Sequence, residues 1–317
     1  MQQVPWLSVI LPMHQGERWL AATLDSLVAQ SDTGFECLVI DSSPDDATFR
    51  LAQSYADRLT LRTFRRPDLD NWRSKTNFGF QQARAEHVCM LHQDDSWLPG
   101  RSAAVRAWIA DAPNLAAHLH PSFFVDRDGR RLGVWRCPLP DNGLPISQDL
   151  LITRLLVQNF VSVPSPTLRR DLFLAVGGID ESLWYTGDWD LYLKLARIGS
   201  FAYHPQILSC FRIHGDSLTM SGRQNLHEFE DQMLLVLRAH IDSAPVGLRE
   251  TVLRKANASI RVNSSLAAAA GNMTNALFQV VGAIAGLRPW EVYEYLRDSR
   301  LAERVIPRLR ADLAGGH

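Results

Sequence analysis

Two adjacent carboxylates, Asp94 and Asp95, follow directly on an apolar run at residues 87–91. Such a run predicts a buried strand, and ligands of open α/β sheets bind outside the carboxyl ends of the strands. Because neighbouring carboxylates repel each other, the pair favours a hard divalent cation that carries phosphate oxygens. It therefore predicts a metal-bound diphosphate and, through it, a nucleotide-activated substrate. The alternative is a turn with two solvated carboxylates.

The elements that must position these carboxylates alternate between strand-like and helix-like segments over the first hundred residues. The predicted strands cover residues 8–12, 36–41, 59–64 and 87–91, and the predicted helices cover residues 17–30, a segment that opens at 43–46 with Ser43 as N-cap, and 75–85. This order implies a mostly parallel sheet with helices on both faces. Right-handed crossovers then bring residues 12–17, Asp41 and Asp94 to one rim of the sheet.

The pattern changes after residue 100, where shorter strands and helices follow one another, and from about residue 222 the chain is helical. Residues 266–287 are its most apolar part, but polar side chains and glycines interrupt them. A membrane span needs about 20 largely uninterrupted apolar residues. We therefore prefer a helix that packs internally or joins two copies of the chain, with attachment to a membrane surface as the alternative.

Composition and charge exclude several classes of protein. The chain has 317 residues and a net charge of −1, which argues against nucleic-acid binding through bulk positive charge. Its four cysteines form no CxxC pair, which argues against a zinc site and a disulfide framework. The N-terminus lacks a basic region followed by a long apolar stretch, so we expect no signal peptide and a cytoplasmic location, with membrane association as an alternative.

Several separated motifs, in this order, resemble those of the inverting family 2 glycosyltransferases, which have the GT-A fold. They are the segments SVILP (8–12), CLVIDSSPDD (37–46), KTNFG (75–79), HQDD (92–95), YTGDWDL (185–191) and FRIHG (211–215). The resemblance covers roughly residues 7–215. It implies a catalytic domain at 1–220, divided into a nucleotide-binding half at 1–100 and an acceptor half at 101–220, followed by a helical extension at 221–317.

The resemblance also assigns roles to individual residues. Donor binding falls to Pro12, His14, Glu17, Asp41, Arg73, Lys75, Asn77 and Asp94, and the binding of Mn²⁺ or Mg²⁺ falls to Asp95 and His214. Four of these assignments have a structural alternative: Asp41 could cap a helix, Arg73 and Lys75 could be solvated, and His214 could be a satisfied structural residue. His92 is expected to face the core, and Arg212 to pair with phosphate or with a core carboxylate.

Asp188 is the general base that the resemblance implies. Inverting transfer needs one carboxylate that takes the proton of the acceptor hydroxyl as the oxygen attacks the anomeric carbon. The alternative is that Asp188 caps the following helix, and one residue could do both. Asp190 is expected to be a first-turn acidic residue that stabilises the helix dipole.

The resulting prediction is a metal-dependent transferase that moves a sugar from a nucleotide-diphosphate sugar to a glycan or lipid-linked acceptor. The resemblance to the family also implies a role in surface-polysaccharide synthesis. Two other functions stay open at this point: a nucleotidyltransferase, and a degenerate domain that binds partners. The loop at residues 13–18 has one glycine and an acid, which disfavours triphosphate binding and hence the nucleotidyltransferase. The retained Asp94, Asp95 and Asp188 argue against the degenerate domain.

Overall fold

The structure is a computed structural model that describes residues 4–214, 226–268 and 273–315. The strands are β1 (Ser8–Met13), β2 (Glu36–Asp41), β3 (Leu61–Arg65), β4 (His87–Met90), β5 (Ser96–Trp97), β6 (Ala117–Leu119), β7 (Ser122–Val125), β8 (Arg131–Trp135), β9 (Thr167–Arg169), β10 (Phe201–Tyr203) and β11 (Ser209–Arg212). Within the described residues they form two sheets, a main sheet and a smaller one.

Helices connect and cover the strands. The first seven are α1 (Glu17–Val28), α2 (Ala47–Gln53), α3 (Trp72–Gln82), α4 (Arg101–Asp111), α5 (Gln148–Val157), α6 (Arg170–Ala175) and α7 (Gly187–Ala196). The C-terminal part contributes α8 (Leu226–His240), α9 (Arg249–Ala268), α10 (Met273–Ile284), α11 (Pro289–Ser299) and α12 (Leu301–Gly315). The described residues thus confirm the mixed α/β class and the helical C-terminal region.

The main sheet has seven strands in the order β10-β6-β9-β4-β1-β2-β3. Neighbouring strands are parallel except at β9, which runs antiparallel to both β4 and β6. Because β1, β2 and β4 are adjacent and parallel, their carboxyl ends lie on one rim, as the strand–helix alternation predicts.

Alternating side chains divide the main sheet between two apolar cores. Val9 and Leu11 of β1 belong to one buried cluster, which also contains Leu20 and Leu24 of α1. Ile10 belongs to the other cluster, which includes residues of α3, α5 and α7. Successive residues of a strand point to opposite faces, so β1, in which every residue is buried, requires cover on both sides of the sheet. The predicted two-sided cover is confirmed.

The smaller sheet has the order β5-β11-β7-β8. β5 begins directly after Asp95, and β11 ends at Arg212. β11 pairs antiparallel with β5 and parallel with β7, and β7 and β8 form a hairpin. This sheet therefore brings the segment after the paired carboxylates next to the segment that leads to His214.

Two helix starts differ from the predicted ones. The second helix begins at Ala47 with Asp46 in the N-cap position, because the Ser43 hydroxyl is engaged by Asp41 and by the main-chain N–H of Gln15. The third helix begins at Trp72 rather than residue 75, because the Asn71 side chain caps it by accepting two main-chain N–H bonds.

The C-terminal helices share a core with the rest of the chain. Phe229 and Met233 of α8 and Ile260 of α9 lie in the same buried cluster as Leu155 of α5 and Trp189 of α7. Within the described ranges, no helix is both long enough and apolar enough to cross a membrane. Part of the apolar segment predicted at 266–287, namely residues 269–272, lies outside the described residues.

Candidate active site

A cavity of about 570 Å³ opens where β1 and β4 end. Gln93 joins the two strand ends: its Oε1 accepts the His14 main-chain N–H at 2.8 Å, and its Nε2 donates to the His14 carbonyl at 2.9 Å. The Lys75 ammonium enters from α3 and donates to the Met13 carbonyl at 2.9 Å and to the Ser42 hydroxyl at 2.8 Å. Burial lowers the pKa of Lys75 to about 8, so it stays mostly cationic at neutral pH. The predicted convergence of the strand ends is therefore present in the structure.

The paired carboxylates have different environments. Asp95 is buried, its Oδ1 accepts the Arg212 main-chain N–H at 2.9 Å, and its Oδ2 has no hydrogen-bond partner among the described residues. Burial and the neighbouring Asp94 charge raise the pKa of Asp95. Asp94 contacts His214, with 2.8 Å between Oδ2 and Nε2. Burial acts to raise the pKa of Asp94, but the bond to His214 and the charge of His92 bring it below its ordinary value.

The donor atoms near Asp95 fit a divalent cation. Oδ2 of Asp95 and Nδ1 of His214 are both buried without a hydrogen-bond partner among the described residues. The His214 ring is held against Trp19, with 4.2 Å between the ring centroids. Carboxylate oxygen suits Mg²⁺ and Mn²⁺, and imidazole also suits Mn²⁺. Across the described ranges no group of three or more His, Cys, Asp or Glu side chains could hold a metal, so ligand oxygens and water would supply the other positions.

Asp188 lines the same cavity, as the second residue of α7. Its Oδ2 accepts a hydrogen bond from the Asn159 amide at 3.0 Å, and its Oδ1 accepts the Trp189 main-chain N–H at 2.9 Å. Burial raises the pKa of Asp188 to about 6, against the effect of these two bonds. Thr186 occupies the N-cap position, so Asp188 is not the cap. The result is an oriented carboxylate with a pKa of about 6, which is close to neutral pH.

Two side chains of α3 hold the segment that leads to Asp188. Asn77 donates to the Ile179 carbonyl and accepts the Ile179 main-chain N–H, each at 2.9 Å. Arg73 donates to the carbonyls of Glu181 and Trp184, each at 3.0 Å. The guanidinium of Arg73 therefore lines the cavity while its hydrogen bonds position the loop before the candidate base.

The cavity brings together most of the predicted site residues. Those that line it are Pro12, His14, Arg73, Lys75, Asp94, Asp95, Asp188 and His214, and those that do not are Glu17, Asp41 and Asn77. Glu17 accepts a hydrogen bond from the Thr48 hydroxyl. Asp41 is fully buried and is bonded by Ser43 and Arg65. In this structure both carboxylates are used to fix the loops that follow β1 and β2.

One side-chain expectation is wrong. His92 lines the cavity instead of facing the core, and its ring lies 5.4 Å from the ring of Trp72. The Arg212 guanidinium donates to the carbonyls of Asp94 and Asp126, each at 2.8 Å, and of Arg127 at 3.2 Å, and its pairing with a phosphate stays a prediction. Arg212 thus fixes the main chain around Asp94 and Asp95.

Sequence reasoning missed a polar part of the cavity wall. The residues concerned are Gln158, Asn159, Ser259, Asn263, Arg304 and Arg308. Gln158 Oε1 accepts hydrogen bonds from the Ser259 hydroxyl at 2.8 Å and the Asn263 amide at 2.9 Å, which links α9 to the end of α5. Asn159 lies two residues beyond a helix that the sequence predicts over residues 148–157, which was an available signal, but isolated polar residues of the later helices gave none.

Sequence relatives agree with the geometry. The family model described as Glycosyl transferase family 2 matches residues 8–156. An uncharacterized glycosyltransferase of Rickettsia prowazekii (strain Madrid E) is 26% identical over 233 residues, which are 72% of this chain and 70% of the relative. An uncharacterized glycosyltransferase of Rickettsia typhi (strain ATCC VR-144 / Wilmington) is 25% identical over 237 residues, with coverage of 71% and 70%.

Solved structures share the fold. S. aureus TarS 1–349, in complex with UDP-GlcNAc, has a TM-score of 0.64 and 18% identity, over 97% of this chain and 90% of that one. This chain spans 55% of the longer S. aureus TarS structure. The mannosyltransferase PcManGT from Pyrobaculum calidifontis, in complex with GDP-Man and Mn²⁺, has a TM-score of 0.59 and 18% identity, with coverage of 99% and 89%. Residues 8–156 thus match the model of glycosyl transferase family 2, and the relatives and the GT-A fold agree with it that the chain is a glycosyltransferase.

Proposed function

We propose that this chain is a metal-dependent, inverting transferase that moves a sugar from a nucleotide-diphosphate sugar to a hydroxyl group of a glycan or lipid-linked acceptor. One observation carries the proposal: a single cavity contains the Asp94–Asp95–His214 cluster and, in another part of its wall, Asp188. A leaving diphosphate and an attacking hydroxyl need these two kinds of group at once.

The donor would occupy the rim formed by β1, β2 and β4. Pro12, His14 and Lys75 line this end of the cavity, and Asp94 faces it. The bound donors of the structural neighbours, UDP-GlcNAc in TarS and GDP-Man in PcManGT, support a nucleotide sugar as the ligand class. The donor-binding roles of Glu17, Asp41 and Asn77 stay predictions, and their contacts favour an indirect action through loop position.

Asp95 and His214 would hold a divalent cation. Each has a buried atom that can ligate a metal, Oδ2 and Nδ1 respectively, and that has no hydrogen-bond partner among the described residues. The Mn²⁺ in the PcManGT complex supports this choice of ion. When bound, the cation supplies charge neutralisation for the diphosphate leaving group. Arg212 keeps Asp95 in place through its main-chain N–H.

Asp188 would act as general base. Its carboxylate takes the proton of the acceptor hydroxyl while the acceptor oxygen forms a bond to the anomeric carbon of the sugar. The bond from that carbon to the diphosphate oxygen breaks on the other side, so the configuration inverts and the nucleoside diphosphate leaves. The hydrogen bond from Asn159 orients the carboxylate for this step.

A thermal-shift screen of UDP, GDP, dTDP and CMP, each with Mn²⁺ and with EDTA, tests donor and metal binding. A ligand that binds the native state raises the melting temperature by mass action. We expect a shift with one nucleotide that is lost in EDTA and in Asp95→Ala, and that persists in Asp111→Ala, which removes an exposed carboxylate at the end of α4. No shift with any nucleotide would contradict the proposal and favour a partner-binding domain.

A second measurement tests the chemistry. Asp188→Asn removes the base but keeps a side chain of the same size, so we expect loss of sugar transfer with nucleotide binding almost unchanged. Substantial remaining turnover would refute the role of Asp188. A location at a membrane surface, a role in surface-polysaccharide synthesis and homo-oligomerisation through the C-terminal helices remain predictions for this enzyme.

A further inference from the structure

Helix α12 places two arginines, Arg304 and Arg308, in the wall of the catalytic cavity. The Arg308 guanidinium lies 5.6 Å from the ring centroid of Phe124 and 5.8 Å from that of Trp135, and it donates to the Arg304 carbonyl at 2.8 Å. Both rings belong to the smaller sheet, so the helix and this sheet together fix where the two charges lie. A helix that belongs to the C-terminal extension thus contributes directly to the cavity.

The charge of Arg304 is largely unmatched by the protein. No ion pair joins its guanidinium to a carboxylate whose side chain the structure describes, and its buried Nε has no hydrogen-bond partner among those residues. Its Nη2 donates a hydrogen bond to the Asn263 amide oxygen at 3.3 Å. Burial lowers the pKa of Arg304, while the hydroxyl groups of Tyr185 and Tyr295 act in the opposite direction. Arg304 is half-buried, and a cation that is partly removed from water without a carboxylate partner costs free energy unless a ligand compensates it.

Arg304 lies on the same wall as the candidate base. Asn263, its hydrogen-bond partner, also bonds Gln158, and the next residue, Asn159, bonds Asp188. Tyr185 precedes the base by three residues; burial raises the pKa of its hydroxyl, the charges of Arg308 and Arg304 lower it, and that of Asp188 raises it. In inverting transfer the acceptor approaches from the side of the base, and the diphosphate leaves from the opposite side. The unmatched charge therefore faces the acceptor.

We propose that Arg304, with Arg308 beside it, binds a phosphate group carried by the acceptor. The inference rests on the proposed function and adds to it the charge class of the acceptor. Guanidinium groups present planar sets of N–H donors that match phosphate oxygens, and a phosphate monoester carries nearly two negative charges at neutral pH. Such a group would satisfy the free Nε of Arg304 and orient the acceptor hydroxyl toward Asp188.

Calorimetric titration of the full-length protein with glucose 6-phosphate and with glucose tests this site, since the two probes differ by the phosphate group. UDP and Mn²⁺ are kept at saturation, so that the donor end is filled. We expect glucose 6-phosphate to bind more tightly than glucose, and Arg304→Gln to weaken glucose 6-phosphate by at least about tenfold, as expected for a charged hydrogen bond. The affinity for UDP should stay within about twofold.

Arg310→Gln is the matched control, because it removes a charge from the same helix. The Arg310 side chain donates to the Leu132 carbonyl at 2.8 Å and does not line the cavity. Its binding of glucose 6-phosphate should equal that of the wild type. If Arg304→Gln does not fold, two other measurements decide the question. They are the affinity of Arg304→Lys, which keeps the charge, for glucose 6-phosphate, and the wild-type preference for glucose 6-phosphate over glucose.

The outcomes separate this inference from the proposed function. Equal binding of glucose and glucose 6-phosphate by the wild type would overturn the phosphate site. A parallel loss of UDP affinity in Arg304→Gln would overturn it too, since the arginine would then serve the donor diphosphate. If neither UDP nor any other nucleotide of the thermal-shift screen binds, the proposed function fails, and the same titrations without nucleotide still decide the phosphate site. Octyl phosphate, compared with octyl glucoside, distinguishes a lipid-linked phosphate from one on a soluble glycan.

Discussion

Removal of the Asn159 amide should raise the pKa of the proposed general base, Asp188. Asn159 donates to Asp188 Oδ2 at 3.0 Å, a bond that stabilises the charged form of a group whose pKa burial has raised to about 6. A hydrogen bond to a charged group contributes about 1.5–3 kcal/mol, and one pKa unit corresponds to about 1.4 kcal/mol. Asn159→Ala should therefore raise the pKa of Asp188 by about one to two units.

The assay is the pH dependence of kcat/KM, measured as release of the nucleoside diphosphate from the sugar donor that the thermal-shift screen selects. A general base acts in its unprotonated form, so activity rises as pH increases through the pKa of Asp188. In the wild type this rise should be centred near the pKa of about 6. In Asn159→Ala it should move to about pH 7–8, so that activity is lost near pH 6.5 and recovers at higher pH.

The control and the contradicting result are both specific. Asn114→Ala removes an exposed asparagine that accepts a weak hydrogen bond from Arg169 at 3.4 Å, outside the cavity, and should leave the profile unchanged. A uniform loss of activity in Asn159→Ala at every pH, with the midpoint unmoved, would show that Asn159 does not set the basicity of Asp188. A midpoint that moves to lower pH would refute the electrostatic argument itself.

Two further substitutions test what holds the site together, by chemical denaturation and by activity. Gly178 has φ +71° and an added Cβ would lie 2.6 Å from a side-chain oxygen of α3, whereas at Gly177, with φ +80°, it would meet nothing within 4 Å. Gly178→Ala should therefore cost about 1–3 kcal/mol and reduce turnover, and Gly177→Ala should cost less and preserve turnover. His240→Ala removes a 2.7 Å contact to the buried Asp190 and should cost about 1–3 kcal/mol, while exposed His227 in the same helix serves as a near-neutral control. Equal costs within either pair would contradict these assignments.

The part of the site on the rim of the main sheet was predictable from the sequence. Apolar runs identify β1, β2 and β4, and the chirality of their crossovers requires that their ends meet. Once the strands are adjacent, Asp94 and Asp95 must lie next to the loop that follows β1. The structure shows this through the two hydrogen bonds between Gln93 and His14.

Roles that depend on side-chain direction were not predictable in the same way. An Asp at a strand end can bind a ligand or fix its own loop, and both produce the same sequence pattern. Asp41 fixes its loop through Ser43, whereas Asp94 faces the cavity. The difference comes from Arg65 of β3, which contacts the second oxygen of Asp41, and only the folded arrangement supplies that contact.

The part of the cavity wall that carries Arg304 and Arg308 depends on how α12 docks, which an amphipathic sequence does not encode. The helix crosses β8 at Gly133, where an added Cβ would lie 2.7 Å from the Pro307 ring, so the close approach requires glycine in the strand. Pro307 lies between Arg304 and Arg308, so this contact determines how far both guanidinium groups lie from the smaller sheet. In the sequence those arginines resemble any solvated face of a helix. Their position in the cavity wall depends on one glycine more than 170 residues earlier.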